Sequence, residues 1–244
     1  MDGDTFQFVG SKVSHCIAKQ STHLQDPISM EDCLMVTLRF LATGESFSRF
    51  QFSTRIPQCT ISKIIPETCK ATYETMKDEF LKVPTTKNEW KGITKESEEK
   101  CGVYNTIGIM DGKHVRITCP QNGGSPHFNY KSYKRIVLFA LVDANYVFMY
   151  IDAGTDGRIG DAGVYAKSAL RRCLIERTIL KVRNDQKLAN ANISVPYVVL
   201  ADDAFTLSYN VMKLCPLANI TKGEKIFNYG LSRGRQMVEA ILVF

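Results

Sequence analysis

NTIGIMDGKHVRIT, residues 105–118, alternates apolar and polar positions in the manner of a β-strand, and Asp111-Gly112 interrupts it. KRIVLFALVDANYVFMYIDAG (134–154) follows. It reads as a β-hairpin: an apolar run, Asp143-Ala144-Asn145 as the turn, and a second apolar run. DAGVYAKSALRRCLIERTIL (161–180) has helical spacing, with Asp161 near its start, and NDQKLANANIS (184–194) reads as a loop. VPYVVLADDAF (195–205) is a short, strongly apolar strand that ends in two aspartates. FNYGLSRGRQMVEAILVF (227–244) is a final helix, weakened by two glycines, after a turn over 219–225. Strands first, then helix, strand and helix make a mixed α/β layer plan.

Upstream the period is helical. Residues 1–28 are polar and mixed and end in Asp26-Pro27, which predicts a loosely ordered lead-in. Ser29 reads as an N-cap with Asp32 three positions on, MEDCLMVTLRFLAT (30–43) carries a helical apolar pattern, and Gly44 closes it. QCTISKII (58–65) and a helix restarting at Pro66 predict a helix-turn-helix-like region over 29–83. In that reading Gln58, Thr60, Ser62 and Lys63 lie on the exposed face of a recognition helix; a helical cap with no DNA contact is the alternative. Residues 84–101 read as a polar connector with a short charged helix, before a domain over 102–244.

The composition, 44% hydrophobic and 23% charged, is that of an ordinary globular protein. No run of about 18 apolar residues predicts a membrane span. The acidic N-terminus lacks the apolar core of a secretory signal, so nucleus and cytoplasm are the expected compartments. Eight scattered cysteines with no Cys-x-x-Cys pair read as mostly buried apolar residues rather than zinc ligands or disulfides. Residues 101–244 hold 18 Lys and Arg against 11 Asp and Glu, a net charge of +7 within a chain of +6. A basic domain that also concentrates carboxylates suits a polyanionic substrate.

Four carboxylates stand out. Asp111 interrupts an apolar strand, Asp161 follows the glycine-rich turn DAGTDGRIGD, Asp202 ends a buried strand, and Glu239 lies on the last helix one turn after Arg235. Each also has a plainer reading: a turn at Asp111-Gly112, an N-cap at Asp161, a cap at Asp202 or Asp203, an ion pair between Glu239 and Arg235. Jointly they offer oxygen ligands for divalent cations able to clamp the attacking and leaving oxygens of a phosphodiester. The 37 residues from Asp202 to Glu239 leave room for a loop and a covering helix.

With these residues laid out, the chain resembles the Harbinger transposase-derived nucleases of the DDE superfamily, and its insect members most. The matching segments are IGIMDGKHVRI (107–117), residues 129–165 with their Val-Asp-Ala-Asn-Tyr string, PYVVLADDAFTLSYNVMKLCP (196–216) and IFNYGLSRGRQMVE (226–239). ISMEDCLMVTLRFLATGESF (28–47) and CTISKIIPETC (59–69) resemble the family's N-terminal helices. The resemblance implies a ribonuclease-H-like mixed sheet flanked by helices and a metal-dependent DNA endonuclease. It implies Asp111, Asp202 and Glu239 as the catalytic triad and Asp111, Asp161, Asp202 and Glu239 as ligands of Mg²⁺ or Mn²⁺. His114, Arg233 and Arg235 are the implied substrate contacts, and a separate Myb-like accessory protein and a homo-oligomer the implied partners.

Gly230 and Gly234 stand where the family usually has Arg and Ala, Ala240 replaces an Asn, and the chain ends at Phe244 where relatives continue. These departures predict a softened helix and impaired activity, and keep open a second reading: a transposase remnant acting as a DNA-binding or protein-interaction module. A phosphotransfer enzyme is the weakest reading, because the sequence has neither a P-loop string nor a Gly-x-Ser-x-Gly elbow.

Overall fold

The computed structural model describes residues 1–21, 26–117, 135–156, 159–175, 186–187 and 193–243. The expected helix beyond 175, most of the expected loop 184–194 and residues 129–134 of the resemblance lie outside them. The chain forms two compact units, Met1–Phe80 and Leu81–Phe244. No helix among the described residues is long and apolar enough to cross a membrane.

The first unit is helical. Its lead-in is not loose: α1 (Gly3–Ile17) is capped by Asp2, which accepts from Thr5 N at 2.8 Å, and buries Val9, Val13 and Ile17 at four-residue spacing. α2 (Met30–Thr43) has the expected ends, with Ser29 accepting from Asp32 N and Gly44 in the left-handed conformation. The stretch after it is a further helix, α3 (Phe47–Thr54), which buries Phe50. Residues 55–57 then turn the chain into α4 (Gln58–Phe80), giving a helix-turn-helix-like pair. α4 runs through Pro66 rather than restarting there. Its buried stripe of Ile61, Ile64, Ile65, Thr68 and Ala71 continues across the proline, and this packing outweighs one missing N–H.

The second unit begins with the segment expected to be a connector with a short charged helix, and the helix is there, running most of its length. α5 (Lys87–Cys101) starts on a reciprocal capping box between Thr86 and Glu89 and buries Trp90, Thr94, Ser97 and Cys101. Sequence patterning missed its inner face because Thr and Ser occupy half of it. Five strands follow: β1 (Thr106–Arg116), β2 (Arg135–Val142), β3 (Phe148–Asp156), β6 (Val198–Leu200) and β7 (Val211–Met212), in sheet order β3-β2-β1-β6-β7. The first three are antiparallel, and β6 and β7 join parallel to β1. Two residue pairs form a separate ladder, β4 (Gln186–Lys187) with β5 (Ser194–Val195). This is a ribonuclease-H-like mixed sheet.

The β2–β3 turn is where the sequence puts it. Asp143 accepts from Asn145 N and Val147 N, and Lys100 of α5 donates to Ala144 O at 3.0 Å. The expected long helix after Asp161 is two short ones, α6 (Asp161–Lys167) and α7 (Ala169–Ile175), broken at Ser168. They pack with Trp90 of α5 on one sheet face, against Met110, Phe139 and Met149. The other face, with Ile109, Ala140, Val142, Val198 and Leu200, is covered by α8 (Lys222–Val243) through Leu231, Val238 and Leu242. Cys33 and Cys101 are buried as expected, whereas Cys16 and Cys59 are exposed.

α8 starts within the expected 219–225 turn, because Thr221 and Glu224 cap it: Glu224 N donates to Thr221 Oγ1 and Thr221 N to Glu224 Oε2. Its glycines are close-approach positions. A Cβ on Gly230 falls 2.6 Å from the Cys101 carbonyl oxygen, and one on Gly234 falls 3.1 Å from Leu200 and 3.4 Å from Ile109. An arginine at 230 has no space here, so the glycine that departs from the resemblance seats the helix. Gly230→Ala is expected to destabilise the protein by about 1–3 kcal/mol of overpacking, in spite of the gain in helix propensity. Gly234→Ala should be close to neutral. Urea unfolding of both variants checks the difference, and equal stability means that α8 does not depend on that approach.

Candidate active site

Strand β1 is central and pairs on both edges, so its side chains alternate between two covered faces. From Ile109 to Arg116 its register against β2 is unbroken, which fixes the parity. Ile109, Asp111 and Lys113 face α8: Ile109 meets Gly234, and Lys113 Nζ donates to the Leu242 carbonyl. Met110, Gly112, His114 and Arg116 face the α6 side.

Asp111 is therefore carried mid-strand towards α8 and accepts from Gly112 N at 2.8 Å. Asp202 lies two residues beyond the end of β6, the neighbouring parallel strand; its Oδ1 accepts from Ala204 N at 2.9 Å, so it also caps a turn. Glu239 lies on the half-exposed side of α8 and forms an ion pair with Arg235 at 3.0 Å, the plainer reading of that residue. Arg233 is exposed, its guanidinium 6.0 Å from the Tyr229 ring centroid.

Asp161 opens α6 on the opposite side. A Cβ on Gly112 falls 2.2 Å from Asp161 Oδ1, so the absent side chain is what admits this carboxylate. His114 Nε2 lies 3.4 Å from the same oxygen. Asp161 Oδ1 and His114 Nδ1 are both buried and have no hydrogen-bond partner among the described residues. Thr60, Ser62 and Lys63 lie in the first turns of α4, in the other compact unit, with Ser62 and Lys63 exposed and Thr60 half-buried.

Electrostatics ties the four acids together. Burial raises the carboxyl of Asp111 to about 6, helped by the negative charges of Asp202, Asp161 and Glu239 and opposed by the Gly112 N–H. Burial also raises Asp161 to about 6; Asp202 adds to this and Arg135 opposes it. Burial, then Arg135, pulls His114 below its ordinary value. Asp111 thus feels the charges of Asp202, Asp161 and Glu239, with Asp161 on the α6 side of β1.

The donor chemistry, carboxylate oxygens with one buried oxygen unpartnered, fits a hard divalent cation. Among the described residues, however, no group of three or more His, Cys, Asp or Glu is arranged to hold an ion. The reason lies in the contacts above: Glu239 is turned to Arg235 and Asp202 to Ala204 N. Sequence reasoning missed Gly112 and Arg135. A glycine inside an otherwise apolar strand was the available signal for the first, because it marks close approach as well as a turn. Arg135 carried no signal until register put it opposite Arg116.

A carboxyl raised on folding adds stability that is complete below its unfolded value of 3.8 and is lost as pH rises through about 6. Asp111→Asn removes that loss. The metal-free variant is expected to be more stable than wild type at pH 7–8 by on the order of 1 kcal/mol, after discounting for solvent screening, with the gain gone near pH 4. Urea titrations at both pH values check this, and a variant less stable at neutral pH contradicts the repulsion.

Residues 110–243 match the family described as DDE superfamily endonuclease. HARBI1 of Xenopus laevis, described as a candidate nuclease, is 23% identical over 149 residues, 61% of this chain and 43% of that protein. The protein of the same name in Bos taurus is 22% identical over 143 residues, 59% of this chain and 41% of its own length. The chain therefore spans less than half the length of these relatives. No solved structure matches it. The family match covers more than half the chain and contains Asp111, Asp161, Asp202 and Glu239: this protein belongs to the DDE superfamily endonuclease family.

Proposed function

We propose that the chain is a divalent-metal-dependent DNA endonuclease that hydrolyses phosphodiester bonds, with Asp111, Asp202 and Glu239 as catalytic acids and Asp161 as a further ligand. One observation carries the reading: Asp111 is raised to about 6 by burial on the central strand, and the charges of Asp202 at a strand end and of Asp161 and Glu239 on two helices add to this. Membership of the endonuclease family supports it.

Asp111 is the fixed donor, because its pairing with Ala140 of β2 and the Gly112 N–H hold it. Asp202 and Glu239 sit on a loop and a half-exposed helix face, free to turn from their local partners towards a cation. A bound Mg²⁺ or Mn²⁺ supplies activation of the attacking water and charge neutralisation at the leaving oxygen. His114 orients the Asp161 carboxylate. Arg235, released from Glu239, and Arg233 are proposed phosphate contacts, and Thr60, Ser62 and Lys63 proposed DNA contacts of the helical unit. DNA targeting and nuclear entry through a Myb-like protein, a distribution between nucleus and cytoplasm, and a homo-oligomer complete the proposal; the family resemblance supports them. A second reading, a non-cleaving DNA-binding or interaction module, is favoured by the Arg235–Glu239 pair, which neutralises one catalytic acid.

Purified protein with Mn²⁺ or Mg²⁺ is expected to nick supercoiled plasmid, and Asp111→Asn to abolish nicking by at least about 100-fold. Nicking should also weaken as pH falls below about 6, where Asp111 takes up a proton that a cation must displace. Equal nicking by both proteins points to a contaminant and ends the enzyme reading. Salt-sensitive DNA binding without nicking moves the assignment to the second.

A further inference from the structure

A groove opens between α8 and the segment from Asp203 to Leu217. Its volume is about 890 Å³, within the range of ligand pockets, and Leu207, Met212, Leu214, Leu217, Phe227 and Tyr229 supply its apolar wall. The two sides are tied together: the buried Asn228 side chain accepts from Cys215 N at 2.8 Å and donates to Cys215 O at 3.0 Å. Leu217 is 82% exposed and Tyr229 68%, so the groove presents apolar surface directly to solvent. Its charged margin is mostly basic. Lys213 lines it and donates to an uncharged partner, the Asp203 carbonyl oxygen, at 3.4 Å. The Arg233 guanidinium lies 6.0 Å from the Tyr229 ring centroid, and Lys222 and Lys225 are exposed in the turns before it. The acids beside these cations are Glu224, engaged by Thr221, and Asp203, which lines the groove next to Asp202.

We propose that this groove holds unpaired bases of a DNA strand that runs from the acids along α8. The inference rests on the reading of DNA as substrate and adds a site that tells unpaired from paired strand. Every base has a face that stacks on an aromatic ring, and its phosphates need cations beside that ring. Tyr229, flanked by Arg233 and Lys213, meets both needs. Asp203 offers a carboxylate to the exocyclic amino group of a base. Position favours the same occupant. Tyr229, Arg233, Gln236 and Glu239 follow one another along the exposed side of α8. Ten residues of helix separate Tyr229 from Glu239, roughly 15 Å at about 1.5 Å per residue. A strand with its reacting phosphate at Glu239 therefore reaches the groove within a few nucleotides. A purely apolar protein segment fits the leucines but leaves these cations without a counterpart.

The test compares wild type, Tyr229→Ala, Tyr229→Phe and Leu217→Glu in the full chain. Fluorescence anisotropy in EDTA reads affinity for a blunt mixed-sequence duplex and for the same duplex with a single-stranded tail at one end or the other. Wild type should prefer a tailed duplex by about tenfold or more. Tyr229→Ala and Leu217→Glu should lose that ratio, and Tyr229→Phe, which keeps the ring, should retain it. Both side chains are exposed, so melting temperatures should stay near wild type; where Tyr229→Ala fails to fold, Leu217→Glu decides. A preference that survives Leu217→Glu overturns the proposal. So does a wild type that shows no preference and runs as a dimer dissociated by Leu217→Glu, which assigns the groove to a second copy. Plasmid nicking separates this from the enzyme reading: no tail preference with intact nicking sinks the groove alone, and tail preference without nicking in wild type sinks the nuclease alone. Absence of DNA binding by wild type overturns both.

Discussion

A carboxylate in the middle of a strand that is paired on both edges and covered on both faces is the constraint on which this site depends. Asp111 sits between an Ala140 pairing on β2 and the end of β6, beneath α8. Burying its charge is costly unless something compensates, and the hydrogen bond it accepts from Gly112 N is not enough to keep its carboxyl low. The neighbouring acids add to the cost instead of relieving it. Such a cluster stands against its own electrostatics, and a divalent cation at the proposed site would relieve it.

The rest of the second unit organises around that strand. β6 runs parallel to β1 and ends at Leu200, so that the chain emerges at Asp202 beside it. α8 lies close because Gly230 and Gly234 leave nothing between its backbone and Cys101, Leu200 and Ile109, and this brings Glu239 within the field of Asp111. Gly112 does the same on the opposite face for Asp161. Three glycines thus set three approaches.

Much of this was legible in the sequence, for identifiable reasons. β1, the β2–β3 hairpin and β6 read correctly because period-two and continuous apolar runs end in turn residues such as Asp143. The four acids stood out as charges adjoining those runs. The helices α1 and α5 did not read well. One hides Val9, Val13 and Ile17 among polar residues, and the other uses Thr94 and Ser97 on its inner face. Pro66 was read as a start when packing carries α4 through it. What no periodicity supplies is register. That Asp111 and Asp161 occupy opposite faces of one strand, that Arg116 meets Arg135, and that α8's glycines are contacts rather than flaws all follow from pairing between distant segments.

The central claim is that Asp111, Asp202 and Glu239 act as one cation site although each has a separate local partner. Thermal unfolding of wild type and Asp202→Asn across a Mn²⁺ titration tests it most directly. Wild type should gain about 2.7 kcal/mol when Mn²⁺ reaches about 100 times its dissociation constant. Asp202→Asn should lose most of that gain while melting normally without metal. An equal Mn²⁺-induced shift in both proteins contradicts a shared site.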